Sequence, residues 1–529
     1  MNATATESRQ PSLARAWSAR GRWPLATLAG ALLAGGLVLL PLVFLVVEAL
    51  HPGLGEVRRL LLRHTVAVLL WNTARLAVAC TLLCAVIGVA AAWCVERTSL
   101  PARRLWAVLL VLPLGIPDFV IAFGWVSVAP GLRGYPAAVM IMTVSLYPLV
   151  YVPVASSLRL LDGTLEEAAR SLGMGPWRTF ARVTLRQLRP ALLGGCLLVA
   201  LALLAEYGAF EIVEFRTFTV AIFTQFQLGF DTAAACVLSL VLVLISVVVL
   251  WGELALSGPS EARRSTRGPL RPAPRVRLGR LTALPLVGLS AVVALALGVP
   301  GGALVYWLIQ GGSSTLPATS VGSAIGHTAA YSAAAAALAT ALAVPVVMLV
   351  ARHRNRFTVL LERLSYLPMA LPGVVVALGL VSFTINHAFA LYQSTLELVV
   401  AYAILFLPLA VVGVRSAIGA APERLEEVGR SLGAGRAQVW RRVTLPLIAP
   451  GLAVAFALVF ISSATELTAT LLLRPTGVNT LATRFWAYTS ELSYGSAAPY
   501  AAMMVAVSAV PAYLISRRVG RGAPGETRR

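Results

Sequence analysis

The chain has 529 residues, of which 58% are hydrophobic and only 12% charged, against roughly a quarter charged in a soluble domain; this excludes an ordinary soluble protein and places the chain in a membrane. Its formal net charge of +21 comes wholly from arginine, because no lysine occurs anywhere. A phosphate-binding loop of the GxxxxGK[ST] type is therefore excluded, since its lysine ammonium must reach the nucleotide phosphates. The chain is not expected to be an enzyme, and any ATP that drives it must be hydrolysed by another polypeptide.

A polar tail over 1–22 precedes the apolar run Trp23 to Leu50. That run reads as a retained first helix, with a cleaved signal as the weaker alternative, because no small-residue cleavage site precedes the next span. Further apolar stretches follow near 66–95, 105–128, 135–158, 191–213 and 233–255, each long enough as helix to cross a ~30 Å hydrocarbon core. Residues 257–280 carry seven arginines with Pro and Gly and no apolar run, which predicts a cytoplasmic linker. Six more spans are expected near 281–308, 322–351, 360–383, 396–417, 451–473 and 497–516, then a cytoplasmic tail over 517–529. The first span is placed near 24–48. With both termini in the cytoplasm, most arginines fall on the inner side, so the charge is positive-inside bias rather than a nucleic-acid footprint. Arg58, Arg59 and Arg63 in the first outer loop are the exception.

The two halves, 23–256 and 281–516, repeat one another. Leu165 to Pro190 reads LEEAARSLGMGPWRTFARVTLRQLRP, and Leu425 to Pro450, 260 residues later, reads LEEVGRSLGAGRAQVWRRVTLPLIAP, identical at 13 of 26 positions without a gap. The same offset pairs Glu206 with Glu466, and an offset of 255 pairs Pro113 with Pro368 and Pro117 with Pro372. The expectation is an all-α polytopic membrane protein of about twelve transmembrane helices in two tandem homologous six-helix halves. The repeated segments, near 159–190 and 418–450, are amphipathic and lie outside the bilayer. Gly173 and Gly433 interrupt each after about two turns, which predicts helix, turn, helix with the turn offered to a partner. A surface hairpin of no special role is the blander reading, and the retention of one sequence in two otherwise divergent halves argues against it.

These segments resemble the EAA loop of bacterial ABC importer permeases, whose pattern is EAA, three residues, Gly, nine residues and I-x-L-P. The first copy supplies Glu167, Ala168, Ala169, Gly173, Val183 and Leu185, with Arg186 where proline is usual. The second supplies Glu427, Val428, Gly429, Gly433, Val443, Leu445 and Pro446. The resemblance implies a type I ABC importer permease fold in the bacterial inner membrane. It also implies that Glu167 and Glu427 dock two copies of a cytoplasmic ABC ATPase, with Gly173 and Gly433 as the turns. Partners would be that ATPase, an extracytoplasmic substrate-binding protein and the lipid bilayer, but no nucleic acid; ATP would be used by the partner, and this chain would bind no cofactor. The fused halves and the sequences AEYGAFEIVEF and ELTATLLLRPTG resemble ferric-iron permeases. Thiamine, phosphonate, sulfate and polyamine permeases share parts of the plan.

Ionisable residues inside spans are costly and default to functional candidates. The candidates taken from the spans are Arg75, Asp118, Glu206 and Glu466. Glu206 and Glu466 hold equivalent places and either face each other across a path or cap their own halves; Asp118 sits beside Pro117 in an expected helix break. The cysteines, Cys80 and Cys84 among them, read as small packing residues. The histidines show no ligand spacing, and no metal site is expected. A proton- or sodium-driven secondary transporter of two parallel halves is the competing class, and it would not need the amphipathic repeated loops.

Overall fold

The computed structural model describes residues 25–521, apart from 162, 258–274, 277, 312–317, 354, 420 and 422, with side chains at the C-terminal end described through Ser508. The N-terminal tail 1–22, most of the linker 257–280 and the tail from 522 onward lie outside the described residues. All the regular elements among the described residues are helical, save for one isolated β-bridge, Thr98 with Val276. Among the described residues nine helices are long and apolar enough to cross a membrane, and eleven if two sharply bent pairs each count as one span.

The first half opens with α1 (Leu25–Leu50), apolar on every face, and a small amphipathic α2 (Leu54–Leu61) that buries nothing. The long α3 (His64–Arg97) leads through Ala102, at φ 51°, into α4 (Arg103–Leu109) and α5 (Asp118–Val128). This third span is not straight, as the apolar run 105–128 suggested: it bends by 94°. The cause is the pair Pro113 and Pro117, which deny backbone donors to the turn and hold Ile116 extended. α6 (Gly134–Leu146) and α7 (Pro148–Leu160) complete one span, followed by α8 (Thr164–Ser171), α9 (Pro176–Thr179) and α10 (Leu185–Ala205). The expected fifth span, 191–213, is corrected at both ends. Its helix starts inside the repeated loop through a π-turn at Phe180–Thr184 and stops at Ala205; α11 (Gly208–Ile212), α12 (Phe218–Gln227) and α13 (Thr232–Ser257) follow.

The second half repeats the scheme with α14 (Ala283–Val293), α15 (Val299–Gln310), α16 (Ala318–Arg352), α17 (Arg356–Tyr366) and α18 (Gly373–His387). Pro368 and Pro372 bend the α17–α18 pair by 108°. After α19 (Thr395–Gly419) come α20 (Glu423–Ser431), α21 (Arg436–Val439) and α22 (Leu445–Ala464), again joined by a π-turn at Trp440–Thr444. α10 and α22 start at the equivalent residues Leu185 and Leu445, so Arg186 in place of the usual proline leaves the exit from the first loop unchanged. The expected span 451–473 is likewise broken after Ala464, and α23 (Thr468–Leu473), α24 (Leu481–Ser490) and α25 (Tyr494–Arg521) end the chain's described part.

Close packing rests on small residues rather than on a hydrophobic drive, which lipid does not supply between helices. Buried Ala335, Ala336, Ala339 and Ala343 let α16 lie against α19 and α22. A β-carbon at Gly413 would come within 2.7 Å of the Ala455 methyl. The first helix of each half crosses to the other half. α1 packs on α16 and α18, and α15 packs on α5. The crossing points are equivalent: Pro41 presses its carbonyl onto Gly379, and Pro300 seats on Gly124, where a β-carbon would lie 2.6 Å from the proline Cα. Gly124 and Gly379 are 255 residues apart, the offset that pairs the proline bends.

Candidate functional site

Each repeated loop folds as a helix, a left-handed glycine and a second short helix. Gly173 has φ +82° and Gly433 φ +84°, a region that any side chain would strain. The turn closes as a Schellman-type cap in both copies: Met174 N–H donates to Ala169 O at 3.1 Å, and Ala434 N–H to Gly429 O at 3.2 Å. The amphipathic pattern then sorts the motif residues. Glu167 and Ala168 are exposed while Ala169 is buried; Glu427 and Val428 are exposed while Gly429 is half-buried against Val439. Leu172 and Leu432, just before the turns, are 84% and 82% exposed, so each loop presents an acidic residue and a bare leucine on one outward surface.

Sequence reasoning missed the residues that hold these loops to the membrane helices. Glu166, buried one position before the exposed Glu167, accepts from Arg97 Nη2 at 2.7 Å and from Thr184 Oγ1 at 2.7 Å. In the second half Glu426 accepts from Arg352 Nη2 at 2.6 Å and from Thr444 Oγ1 at 3.0 Å. Arg97 and Arg352 end α3 and α16, and Thr184 and Thr444 end the two π-turns. Each clasp therefore joins three parts: the last turn of a long transmembrane helix, the loop helix, and the start of the next span. The signal was present, for Arg97 and Arg352 are 255 residues apart and the other pairs 260. The glutamate and the threonine sit in the ungapped repeat while the arginine lies about 70 residues before it, so distance along the chain concealed the link.

The helix breaks that carry the three acids proposed from the spans come together. Glu206 stands in the break after α10 and accepts from Ala209 N–H at 2.7 Å, capping α11; Glu466 accepts from Ala469 N–H at 3.1 Å, capping α23. Each thus makes a local cap, while the breaks themselves meet: Gly208 lies against Leu467 and Phe119, where a β-carbon would stand 2.9 Å from both side chains. Glu466 Oε1 occupies the space beside Gly373, the counterpart of Asp118, and its Oε2 is buried with no hydrogen-bond partner among the described residues. Asp118 accepts from the Ser145 hydroxyl and lines a cavity of about 210 Å³ shared with Ile461 and Thr465 of the other half. Arg75 lies apart from this group, its guanidinium 4.4 Å from the Tyr135 ring centroid. Cys80 and Cys84 are buried and point their thiols at Val139 O and Thr143 O. Among the described residues no three His, Cys, Asp or Glu side chains are placed to hold a metal ion.

Against known proteins, the profile of the binding-protein-dependent transport system inner membrane component matches residues 85–256 and 343–521. The Fe(3+)-transport system permease protein FbpB 2 of Haemophilus influenzae is 37% identical over 482 residues, covering 90% of this chain and 95% of that protein. The molybdenum transport system permease protein ModB of Escherichia coli K12 is 30% identical over 31% of this chain and 82% of its own length. The sulfate transport system permease protein CysW of Synechocystis is 30% identical over 40% of this chain and 84% of its own. These shorter relatives match 31% and 40% of this chain.

Proposed function

From the premise that the chain belongs to the binding-protein-dependent transport system inner membrane components, a family of transport permeases rather than enzymes, we propose that it is the fused permease subunit of an ATP-driven importer of ferric iron. The observation that carries the reading is the matched pair of outward-facing loops, Glu167 to Gly173 and Glu427 to Gly433, each locked by a buried clasp to two membrane helices. The chain is a multi-pass component of the inner membrane. The loops and both termini face the cytoplasm, where most arginines lie.

Two copies of an ATPase would dock, one per loop, with Glu167, Ala168, Glu427, Val428 and the leucines before the turns as the contact surface. Ala169 and Gly429 pack the loop helix from behind, and Gly173 and Gly433 allow the turn. ATP is consumed by that partner, and this chain binds no cofactor. An extracytoplasmic binding protein would deliver the cargo. Ferric iron is the named cargo of the relative that matches 90% of the chain, whereas the molybdenum and sulfate permeases match 31% and 40% of it. The cargo would pass between the halves near Asp118, Glu206 and Glu466.

Closure of the ATPase pair would push on the loops, and the clasps would pass the push to α3, α10, α16 and α22. This reading differs from an ion-coupled transporter in needing the partner. The test is co-purification and transport-coupled ATP hydrolysis for Glu167→Arg with Glu427→Arg: the ATPase is expected to be lost while the membrane domain remains folded. Undiminished binding and coupling would assign the loops a structural role only.

A further inference from the structure

Not every arginine on the inner side is spread over the surface. A cavity of about 410 Å³ is lined by Glu96 and Arg97 at the end of α3, Arg103, Arg104 and Ala107 of α4, Leu158 and Arg159 of α7, and Arg275 of the linker. Arg275 is brought there by backbone pairing: Val276 N–H donates to Arg97 O at 2.8 Å, and Ser99 N–H to Val276 O at 3.1 Å. Neighbours on an extended strand point to opposite faces, and Arg275 lines the cavity.

Two of the five arginines are already paired. Arg97 is held by Glu166 at 2.7 Å and Arg159 by Glu96 at 2.6 Å. Arg103, Arg104 and Arg275 have no carboxylate partner among the described residues, and the one acid in the lining, Glu96, is taken by Arg159, so three forked cations converge on one concavity. Positive-inside bias requires arginines on this side but not that they share a cavity. Nor does the repeated machinery require it. At the offset of 255 that keeps Arg97 as Arg352, Arg103 and Arg104 become Thr358 and Val359, and Glu96 becomes Ala351. The cavity belongs to the first half alone. Directly beyond the arginines, α4 exposes Leu105 and Val108, and Leu112 in the turn just past its end is exposed as well, an apolar stripe that continues from the charged end.

We propose that this arginine cavity is a binding site for the phosphate of an anionic phospholipid, whose acyl chains lie along Leu105, Val108 and Leu112. Guanidinium forks match phosphate oxygens in geometry and charge, and basic pockets at the cytoplasmic ends of membrane helices take anionic headgroups. The lipid would fasten the linker between the halves to the helix end that also holds the first loop through Arg97. The site rests on the membrane topology and not on the cargo, and its test needs no ATPase, so its failure would leave the transport reading intact.

The full-length chain, purified in detergent, is offered phosphatidylglycerol, phosphatidylcholine and inorganic phosphate, and retained molecules are counted by native mass spectrometry. Wild type is expected to retain phosphatidylglycerol over phosphatidylcholine, and Arg103→Gln, Arg104→Gln, Arg275→Gln together to weaken that retention about tenfold or more. The triple lysine variant at the same positions should keep part of it. A control, Arg182→Gln, Arg186→Gln, Arg189→Gln, removes the same charge from the loop and should change little. Equal retention by wild type and the cavity variant, or equal loss in the control, would overturn the proposal. So would displacement of the lipid by inorganic phosphate, which would give the cavity to a soluble anion.

Discussion

Glu166 and Glu167 are adjacent and chemically identical, yet they have opposite roles. One lies on the buried face of α8 and accepts from Arg97 and Thr184, while the other faces outward. A carboxylate taken out of water is tolerable only when paired and hydrogen-bonded, and removing its partner strands the charge. Arg97→Ala is therefore expected to cost about 3 kcal/mol or more of stability in the first half, read as a lower midpoint of thermal unfolding. The charge-swapped pair Arg97→Glu with Glu166→Arg should recover part of it, and no recovery would show that the two groups do not act on each other. The acids in the membrane core make a different expectation. Glu206→Gln with Glu466→Gln keeps a side-chain oxygen for the caps of α11 and α23 but removes both negative charges. If these charges form part of the path, uptake should fall while ATP hydrolysis and folding persist; full transport with unchanged coupling would leave them as caps alone.

Proline and glycine do at the element scale what no side-chain charge can. Pro113 with Pro117 and Pro368 with Pro372 turn what reads as one apolar run into two helices at 94° and 108°. Glycine sets where helices may touch. Gly379 lies directly under Pro41 of α1, whereas Gly36, in the same helix α1, has open space around it. Gly379→Val should force α1 away from α18, lower the thermal midpoint and increase cleavage of the first helix by added protease. Gly36→Val should do neither, since a side chain there meets open space and valine has a higher intrinsic helix propensity than glycine. Similar effects from both would mean that the seat of α1 is not tight.

The exchange of first helices makes the whole molecule more than two domains in sequence. Because α1 lies on α16 and α18, and α15 on α5, neither half buries its apolar surface alone. Cutting the chain within the linker and expressing both pieces together should yield a complex that purifies through a tag on either piece. A half expressed by itself should aggregate or be degraded. A stable, monodisperse single half would contradict the crossing. The same arrangement explains how two loops that are far apart in sequence can answer to one motion, since each half carries a helix embedded in the other.

Read alone, the sequence determined the membrane class, the repeat and the helix–turn–helix form of both loops, because these follow from local periodicity, from glycine and from segments that match without a gap. Length and hydropathy located the spans but not their bends or ends. An apolar run looks the same whether or not prolines fold it over, and the spans that end in α10 and α22 begin at Pro176 and Ala437, in polar sequence that hydropathy passes by. What only the tertiary structure decided is which residues meet across the chain: Arg97 with Glu166, Arg352 with Glu426, Pro41 with Gly379, Gly208 with Leu467, and Arg275 with the arginines of α4. The physical reason is that pairing of charges, close approach at glycine and convergence on a cavity depend on distances in space, and a membrane chain whose helices cross between halves separates those distances from positions in sequence.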